Sequence, residues 1–449
     1  MKTIINWKKD KNDLIKSVLI CLSLITTGCG VSLLGATLID LEISANSSKS
    51  QSSFIIAARA VGYAIGSISG GFLGDNIPIV WIPMGSLLLV GLSNLFLPWM
   101  RSFWTLAPWL GLSGFGLGNL EVSANLWLIN IWTNKWSPMI YSTSFSYGFG
   151  TLLAPLLAQS FLIDFVPTSP NDLILNQTTS EMHQNPDEMS LHYAFETFAF
   201  ICLLLDVLFI VLITTNKPIR SEKIVQVSAC SPEKKLPFTP KLILKILILL
   251  LSHSGAGLNM GFGLLLLSYS VQSDLKFTKS QGALLSTAYW TVYSFGRIFA
   301  LILMNFISNR SLMYIHLTLT LIAGTSLYLT YPSTIGLAFS VLLMGIGLSP
   351  FTPLVFFNVK RRLHLSGHLT SIIIVGTIIG ESIYPPLIAH IAIASVNPLA
   401  FSYICIALSI STFCFFTAFE LIGCKFQPKF NLSQVQVEEK LTKSLIVQT

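Results

Sequence analysis

Long apolar segments recur along the whole chain, and they constrain its fold more than any other feature. Each run is about 20 residues or longer, the length that a helix needs to cross a bilayer. Backbone groups in lipid must be satisfied within the segment, so the expected fold class is an all-α integral membrane protein. Only 10% of the residues are charged, against roughly 25% in a soluble domain. We predict twelve transmembrane helices, near residues 14–39, 52–74, 78–98, 105–131, 138–163, 193–214, 241–271, 281–306, 311–330, 333–357, 366–393 and 398–422.

A polar, basic stretch at residues 215–240 divides the predicted helices into six and six. It contains no apolar run long enough to span a bilayer, so it is expected to be a linker. The predicted architecture is therefore a pair of pseudo-symmetric six-helix bundles. The expected divisions are an N-terminal segment 1–13, a bundle 14–214, the linker 215–240, a bundle 241–424 and a tail 425–449.

The distribution of basic residues predicts the orientation of these helices. Of the 27 lysine and arginine residues, 20 fall in segments on the side of the N-terminus and four in loops on the other side. The positive-inside rule then places both termini in the cytoplasm of a cell-membrane protein. Sequons at Asn46 and Asn176 fall in outer loops, where glycosylation is expected. The basic start runs directly into a spanning segment, so we expect no cleaved signal peptide.

Four of the charged residues inside the apolar segments indicate a function. Glu121 and Glu381 are acidic, whereas Arg59 and Arg297 are basic. A charged side chain at the centre of a bilayer costs at least about 2.5–3.5 kcal/mol on insertion scales. Such residues therefore face a protein-lined, hydrated cavity and often contact an ion or a solute. Two acids and two bases within the membrane predict a path for a solute.

Small and polar residues form stripes on two of the predicted helices. Glycines at positions 62, 66, 70 and 74 share one helix face, which is typical of close helix packing. On the fourth helix, Gly114, Gly118, Glu121 and Asn125 also form one stripe. Together, a carboxylate, which accepts, and an amide, which both accepts and donates, can bind neighbouring hydroxyls, which suits a sugar. The alternative is that Glu121 makes a buried hydrogen bond to another helix.

Several of these segments carry motifs that resemble a known family. Residues 70–75 (GGFLGD) resemble the GGxLxD signature of the major facilitator superfamily, and residues 118–125 (GNLEVSAN) resemble the acid-and-asparagine motif of fucose-permease-like facilitators. Residues 280–297 contain SQGALL, YW and GR, similar to a run in the sodium-dependent glucose transporter 1 group. Residues 35–41 (GATLIDL) and 375–385 (VGTIIGE, then proline) resemble the same group.

The resemblance implies a hexose carrier on the major facilitator fold, with sodium as the candidate coupling ion and no other cofactor. Asp75 and Arg59 are the implied gating residues. Two positions depart from the group's pattern, because Asn259 stands where an acid is usual and Ser144 where histidine is common. The lost acid removes a candidate cation ligand, which weakens the case for sodium. The implied solute-binding residues are Glu121, Asn125, Asn259, Gln281, Trp290, Arg297 and Glu381.

Other functions remain open at this point. The solute could be glucose, another sugar, a polyol or urea, and coupling could use sodium, protons or neither. A non-transporting membrane receptor or scaffold could share the fold. Enzyme motifs such as HExxH and GxSxG are absent from the sequence, and no Cys/His spacing predicts a metal site. The expected partners are a small solute and the bilayer, with no nucleic acid, and the expected state is a monomer.

Overall fold

The computed structural model describes residues 11–45, 49–132, 136–161, 191–215, 238–304, 306–363, 367–394 and 398–426. Thirteen α-helices occupy these ranges. The first six are α1 (Lys11–Ser44), α2 (Lys49–Asn76), α3 (Trp81–Phe96), α4 (Phe103–Ile131), α5 (Trp136–Gln159) and α6 (Leu191–Thr215). The others are α7 (Phe238–Gln272), α8 (Lys279–Leu303), α9 (Asn309–Leu329), α10 (Thr334–Leu348), α11 (Phe351–Arg362), α12 (Gly367–Ile388) and α13 (Pro398–Phe426). We call α1–α6 the first half and α7–α13 the second half.

Most of these helices have the length and composition of membrane spans. Among the described residues, nine segments are long and apolar enough to cross a bilayer. Helices α10 and α11 form one of these segments, Thr334–Arg362, with a break at Ser349 and Pro350. The remaining long helices, α4, α5 and α8, carry several of the polar residues of the cavity described below. The expected all-helical, twelve-span architecture is therefore present, and 216–237, most of the predicted linker, lies outside the described residues.

Side-chain contacts show which helix ends share a face of the bundle. Trp132, just after α4, donates its indole hydrogen to Ser17 near the start of α1, at 2.8 Å. In the second half, the fully buried Glu420 of α13 pairs with Arg361 and Arg362 at the end of α11. We call this the terminal face, because α1 begins there and α13 ends there. The opposite, far face holds the end of α1 and the start of α8.

Glycine rows let helices of the first half approach each other closely. A side chain at Gly66 would meet the backbone carbonyl of Phe115, and one at Gly118 would meet that of Tyr63. Only a residue without a Cβ atom permits α2 and α4 to cross at this separation. The close packing predicted from the four-residue spacing of glycines is confirmed for α2 against α4.

The two halves are joined at the far face by buried polar contacts. Asp40, near the end of α1, forms an ion pair with Lys279 at the start of α8, and their side chains are 4% and 6% exposed. Gln159 at the end of α5 donates to Ser280 at 3.1 Å. Deeper in the membrane, Ser382 of α12 donates to the carbonyl oxygen of Ala60 in α2 at 3.3 Å. The far face is closed in this structure by contacts between the halves.

We predict that replacing Lys279 with methionine weakens this closure. Removing one partner of a buried ion pair costs about 3–5 kcal/mol, so the far-closed arrangement should be less populated. A cysteine at position 34, buried on α1 below the pair, should then react faster with a hydrophilic thiol reagent added at the far face. Lys276→Met, at an exposed lysine before α8, is the matched control. Equal reactivity in the two variants would contradict the role of the pair.

Candidate solute-binding site

A cavity of about 220 Å³ lies between the two halves. Its polar lining from the first half comprises Tyr63, Ser67, Glu121, Asn125, Thr143, Ser144 and Tyr147. The second half contributes Asn259, Tyr293, Arg297, Thr352, Thr377 and Glu381. Phe356 and Ile373 also line it, and they lie about two turns from the terminal-face ends of α11 and α12. The cavity therefore extends from the middle of the membrane toward the terminal face.

Glu121 presents an unpaired acceptor to this cavity. Its Oε2 atom is buried and has no hydrogen-bond partner among the described residues. One turn later, the amide of Asn125 donates to the backbone carbonyl of Glu121 at 2.9 Å. This bond holds the Asn125 side chain against its own helix while it lines the cavity. The polar part of the predicted stripe thus faces the cavity, whereas Gly114 and Gly118 are used for packing against α2.

Arg297 faces Glu121 from the other half, and contacts with its own helix and with the break between α10 and α11 hold it in place. Its Nε donates to the carbonyl oxygen of Ser349 at 3.1 Å, and its Nη2 donates to the hydroxyl of Tyr293 at 2.5 Å. The guanidinium also lies 4.3 Å from the centre of the Tyr293 ring. Its Nη1 is buried with no partner among the described residues. One donor edge of Arg297 is therefore free for a ligand.

The sequence explains why the Ser349 carbonyl is free to bind Arg297. In a helix this oxygen would accept from the amide four residues later, and that residue is Pro353. Proline has no amide hydrogen, so the intrahelical bond cannot form. The break between α10 and α11 thus supplies an acceptor for a charged side chain of α8.

Asn259 lines the cavity, but two tyrosines of α8 already bind its side-chain amide. Its Oδ1 accepts from the hydroxyl of Tyr289 at 2.8 Å, and its Nδ2 donates to the hydroxyl of Tyr293 at 3.1 Å. Tyr293 was not expected from the sequence to be a site residue. The available signal was its position one helical turn before Arg297, which places both side chains on one face.

Glu381 lies where the cavity meets a second, smaller chamber. This chamber of about 50 Å³ is also lined by Arg59, Tyr63, Tyr147 and Ser382. Arg59 is buried and donates from Nη1 to the carbonyl oxygen of Val31 at 3.1 Å. The chamber lies on the far side of Glu381, between the cavity and the closed far face. Both predicted intramembrane acids, Glu121 and Glu381, therefore line the cavity. Of the predicted bases, Arg297 lines the same cavity, and Arg59 lines the smaller chamber together with Glu381.

Two predicted binding residues lie outside the cavity lining. Trp290 is 1% exposed and packs edge-on against Tyr289 and Tyr293, with Gly263 behind it. It supports the tyrosines from behind, since the glycine leaves room for the indole on the α7 side. Gln281 is exposed and forms a capping box with Thr278 at the start of α8. The structure gives Gln281 a helix-capping role instead of a solute contact.

Three further predictions fall outside what the structure describes. Asp75 lies in the last turn of α2, and its side chain is outside the described part. The sequons at Asn46 and Asn176 lie outside the described residues. The gating role of Asp75 and both glycosylation sites stay predictions.

Comparison with known proteins places the chain in a family. The family model for the Major Facilitator Superfamily matches residues 20–265, which is more than half of the chain. The chain belongs to the Major Facilitator Superfamily. This confirms the family resemblance and the fold class expected from the sequence. The expected architecture of twelve spans in two six-helix bundles is the Major Facilitator Superfamily fold.

Named relatives and solved structures agree with this assignment. Sodium-dependent glucose transporter 1 of Xenopus laevis is 21% identical over 415 residues, covering 91% of this chain and 82% of the relative. The human protein of the same name is 23% identical over 394 residues, covering 82% and 72%. A variant of the E. coli fucose:proton symporter has a TM-score of 0.60 at 19% identity, covering 90% and 98%. The E. coli xylose transporter XylE has a TM-score of 0.62 at 11% identity, covering 92% and 99%.

The cavity predicts which side chains an aqueous reagent can reach from the terminal face. Ser144→Cys on α5 and Thr377→Cys on α12 each place a thiol in the cavity lining. In a variant without the native cysteines, both should react with a hydrophilic thiol reagent, because the cavity extends toward that face. Ser268→Cys, on α7 and fully buried away from the cavity, is the matched control and should stay unreacted. Protection of positions 144 and 377 equal to that of position 268 would contradict this cavity.

Proposed function

We propose that this protein is a secondary-active transporter of a small, neutral, polyhydroxylated solute, with a hexose such as glucose as the favoured class. One observation carries the proposal. Within one cavity, an unpaired acceptor of Glu121 on the first half faces an unpaired donor of Arg297 on the second half. A solute that both accepts and donates hydrogen bonds satisfies these two atoms at once and connects the halves.

The charge and size of the cavity support a small neutral solute. Its charged lining, within the described residues, consists of Glu121, Glu381 and Arg297. An anionic solute would be repelled by the two carboxylates, whereas hydroxyl groups can bind to both kinds of charged group. The volume of about 220 Å³ is below the usual 300–1,000 Å³ of drug-sized pockets. The named glucose, fucose and xylose transporters among the similar proteins favour a monosaccharide.

The proposed mechanism is alternating access between the two halves. The Asp40–Lys279 pair closes the far face while the cavity extends toward the terminal face. The opposite state requires this pair to separate and the terminal-face ends to close. Since solute binds groups of both halves, its occupancy changes the relative stability of the two states. We further propose that the predicted divisions 14–214 and 241–424 move as units about the linker 215–240.

The coupling ion and the cellular placement are parts of the same proposal. Sodium is favoured by the names of the relatives, and the oxygen atoms of Glu121 and Glu381 are the ligand type that sodium accepts. A proton is the alternative, because the structurally similar fucose transporter is named a proton symporter. The charge bias favours a cell-membrane protein whose terminal face and both termini lie on the cytoplasmic side. Asn46 and Asn176 would then carry outer-loop glycans on a monomeric carrier.

The direct test is uptake of labelled sugars into liposomes that contain the purified protein. Saturable glucose uptake, increased by an inward sodium gradient, is the expected result. Stimulation by a proton gradient but not by a sodium gradient would identify the proton as the coupling ion instead of sodium. Thermal stabilisation by a sugar without counterflow would favour a non-transporting receptor. If no sugar stabilises the protein and none is taken up, the proposed substrate class is contradicted.

Replacing Glu121 with glutamine should lower saturable uptake about tenfold or more, since a charged hydrogen-bond partner contributes about 1.5–3 kcal/mol. The size of the side chain is unchanged, so the cavity keeps its shape. Glu196→Gln makes the same chemical change on α6, outside the cavity lining, and should transport like the wild type. Uptake should be compared at equal reconstituted protein. Wild-type kinetics for Glu121→Gln would remove this residue from the mechanism.

A further inference from the structure

The hydroxyl of Tyr293 accepts two hydrogen bonds from within the second half. Asn259 Nδ2 donates to it at 3.1 Å, and Arg297 Nη2 donates to it at 2.5 Å. Both donors belong to side chains that are themselves about 95% buried. The phenol oxygen therefore lies between an amide of α7 and a guanidinium of its own helix.

Tyr289 fixes the direction of the bond from Asn259. Its hydroxyl donates to Asn259 Oδ1 at 2.8 Å, and Tyr289 is fully buried. With the amide oxygen used in this way, the amide nitrogen faces Tyr293 and can only donate to it. Arg297 has donors and no acceptor, so its bond to Tyr293 also has one direction. Neither partner can take the hydroxyl hydrogen of Tyr293.

A count of hydrogen-bonding capacity then gives Tyr293 a specific role. A phenol has one donor and at most two acceptor positions, and both acceptor positions are filled here. Among the described residues, the Tyr293 hydroxyl accepts hydrogen bonds from Asn259 and Arg297 and donates none. Tyr293 lines the cavity while being only 4% exposed. A buried donor left without a partner costs about 1–3 kcal/mol, which a ligand in the cavity can recover.

We infer that the Tyr293 hydroxyl donates a hydrogen bond to a hydroxyl oxygen of the transported solute, an inference that rests on the proposed function. Arg297 Nη1 is a second free donor on the same wall. Glu121 Oε2 is a free acceptor on the opposite wall. The site thus distinguishes two kinds of sugar hydroxyl: one that must accept from the Tyr293 side and one that must donate to Glu121.

This distinction can be measured with modified sugars. Replacing a hydroxyl by fluorine keeps a weak acceptor and removes the donor, whereas replacing it by hydrogen removes both. At the ring position that meets Tyr293, the fluoro sugar should bind about threefold to tenfold tighter than the deoxy sugar, the range of one modest hydrogen bond. At the position that meets Glu121, the fluoro sugar should bind no tighter than the deoxy sugar, because the donor is lost in both and fluorine cannot donate to a carboxylate.

The experiment is competition of monofluoro and monodeoxy glucose derivatives against labelled glucose in the reconstituted full-length protein. Tyr293→Phe should reduce the fluoro-over-deoxy preference to less than about twofold. Tyr269→Phe removes a hydroxyl from another buried tyrosine, on α7 and outside the cavity lining, and should keep the preference. Thermal unfolding of each purified variant shows whether it is folded.

A second variant keeps the inference testable if Tyr293→Phe does not fold. Asn259→Asp replaces the amide donor with a carboxylate that, when ionised, only accepts. It should recruit the Tyr293 hydrogen and remove the same preference at a similar side-chain volume. A wild-type protein that binds glucose but shows no position with the preference overturns the inference alone. A Tyr293→Phe protein that keeps the preference at every ring position where the wild type shows it also overturns the inference, whereas the absence of any hexose binding contradicts the proposed function instead.

Discussion

Charge inside a membrane has to be held by protein groups or by water, and the site of this transporter is organised by that requirement. Arg297 is held on two sides by the Ser349 carbonyl and the Tyr293 hydroxyl, and its Nη1 group is left without a partner among the described residues. Glu121 lines the same cavity from the other half with one acceptor left over. Neither residue is fully satisfied within its own half, so the most favourable partner for both is a molecule that occupies the space between them.

The packing of the first half determines where that space can open. Gly66 and Gly118 bring the backbones of α2 and α4 into direct contact. Farther along α4 toward the terminal face, the same stripe changes to Glu121 and Asn125, and the helix lines the cavity there. A single sequence stripe thus serves two purposes, with packing at its far-face part and solvation at its terminal-face part. The close contact between α2 and α4 fixes the position of the Glu121 carboxylate within the first half.

Much of this arrangement could be predicted from the sequence, because the membrane imposes strong local rules. Apolar length gave the spans, and the cost of buried charge pointed to Glu121, Arg297 and Glu381. Local rules fail where the deciding contact is not local. The partners Asp40 and Lys279 are separated by 239 positions, so no motif relates them. Gln281 matched a family motif, yet its position at a helix start makes it a cap.

The proline in the second half has a consequence for how movement could reach the site. Because Pro353 withholds an amide hydrogen, the Ser349 carbonyl bonds to Arg297 on a neighbouring helix instead of within its own. The end of α10 and the start of α11 are therefore tethered to α8 through a charged side chain. A small shift of either segment would turn the guanidinium and change the direction of its free donor. One missing hydrogen atom in the backbone thereby links the bending of a span to the recognition chemistry of the cavity.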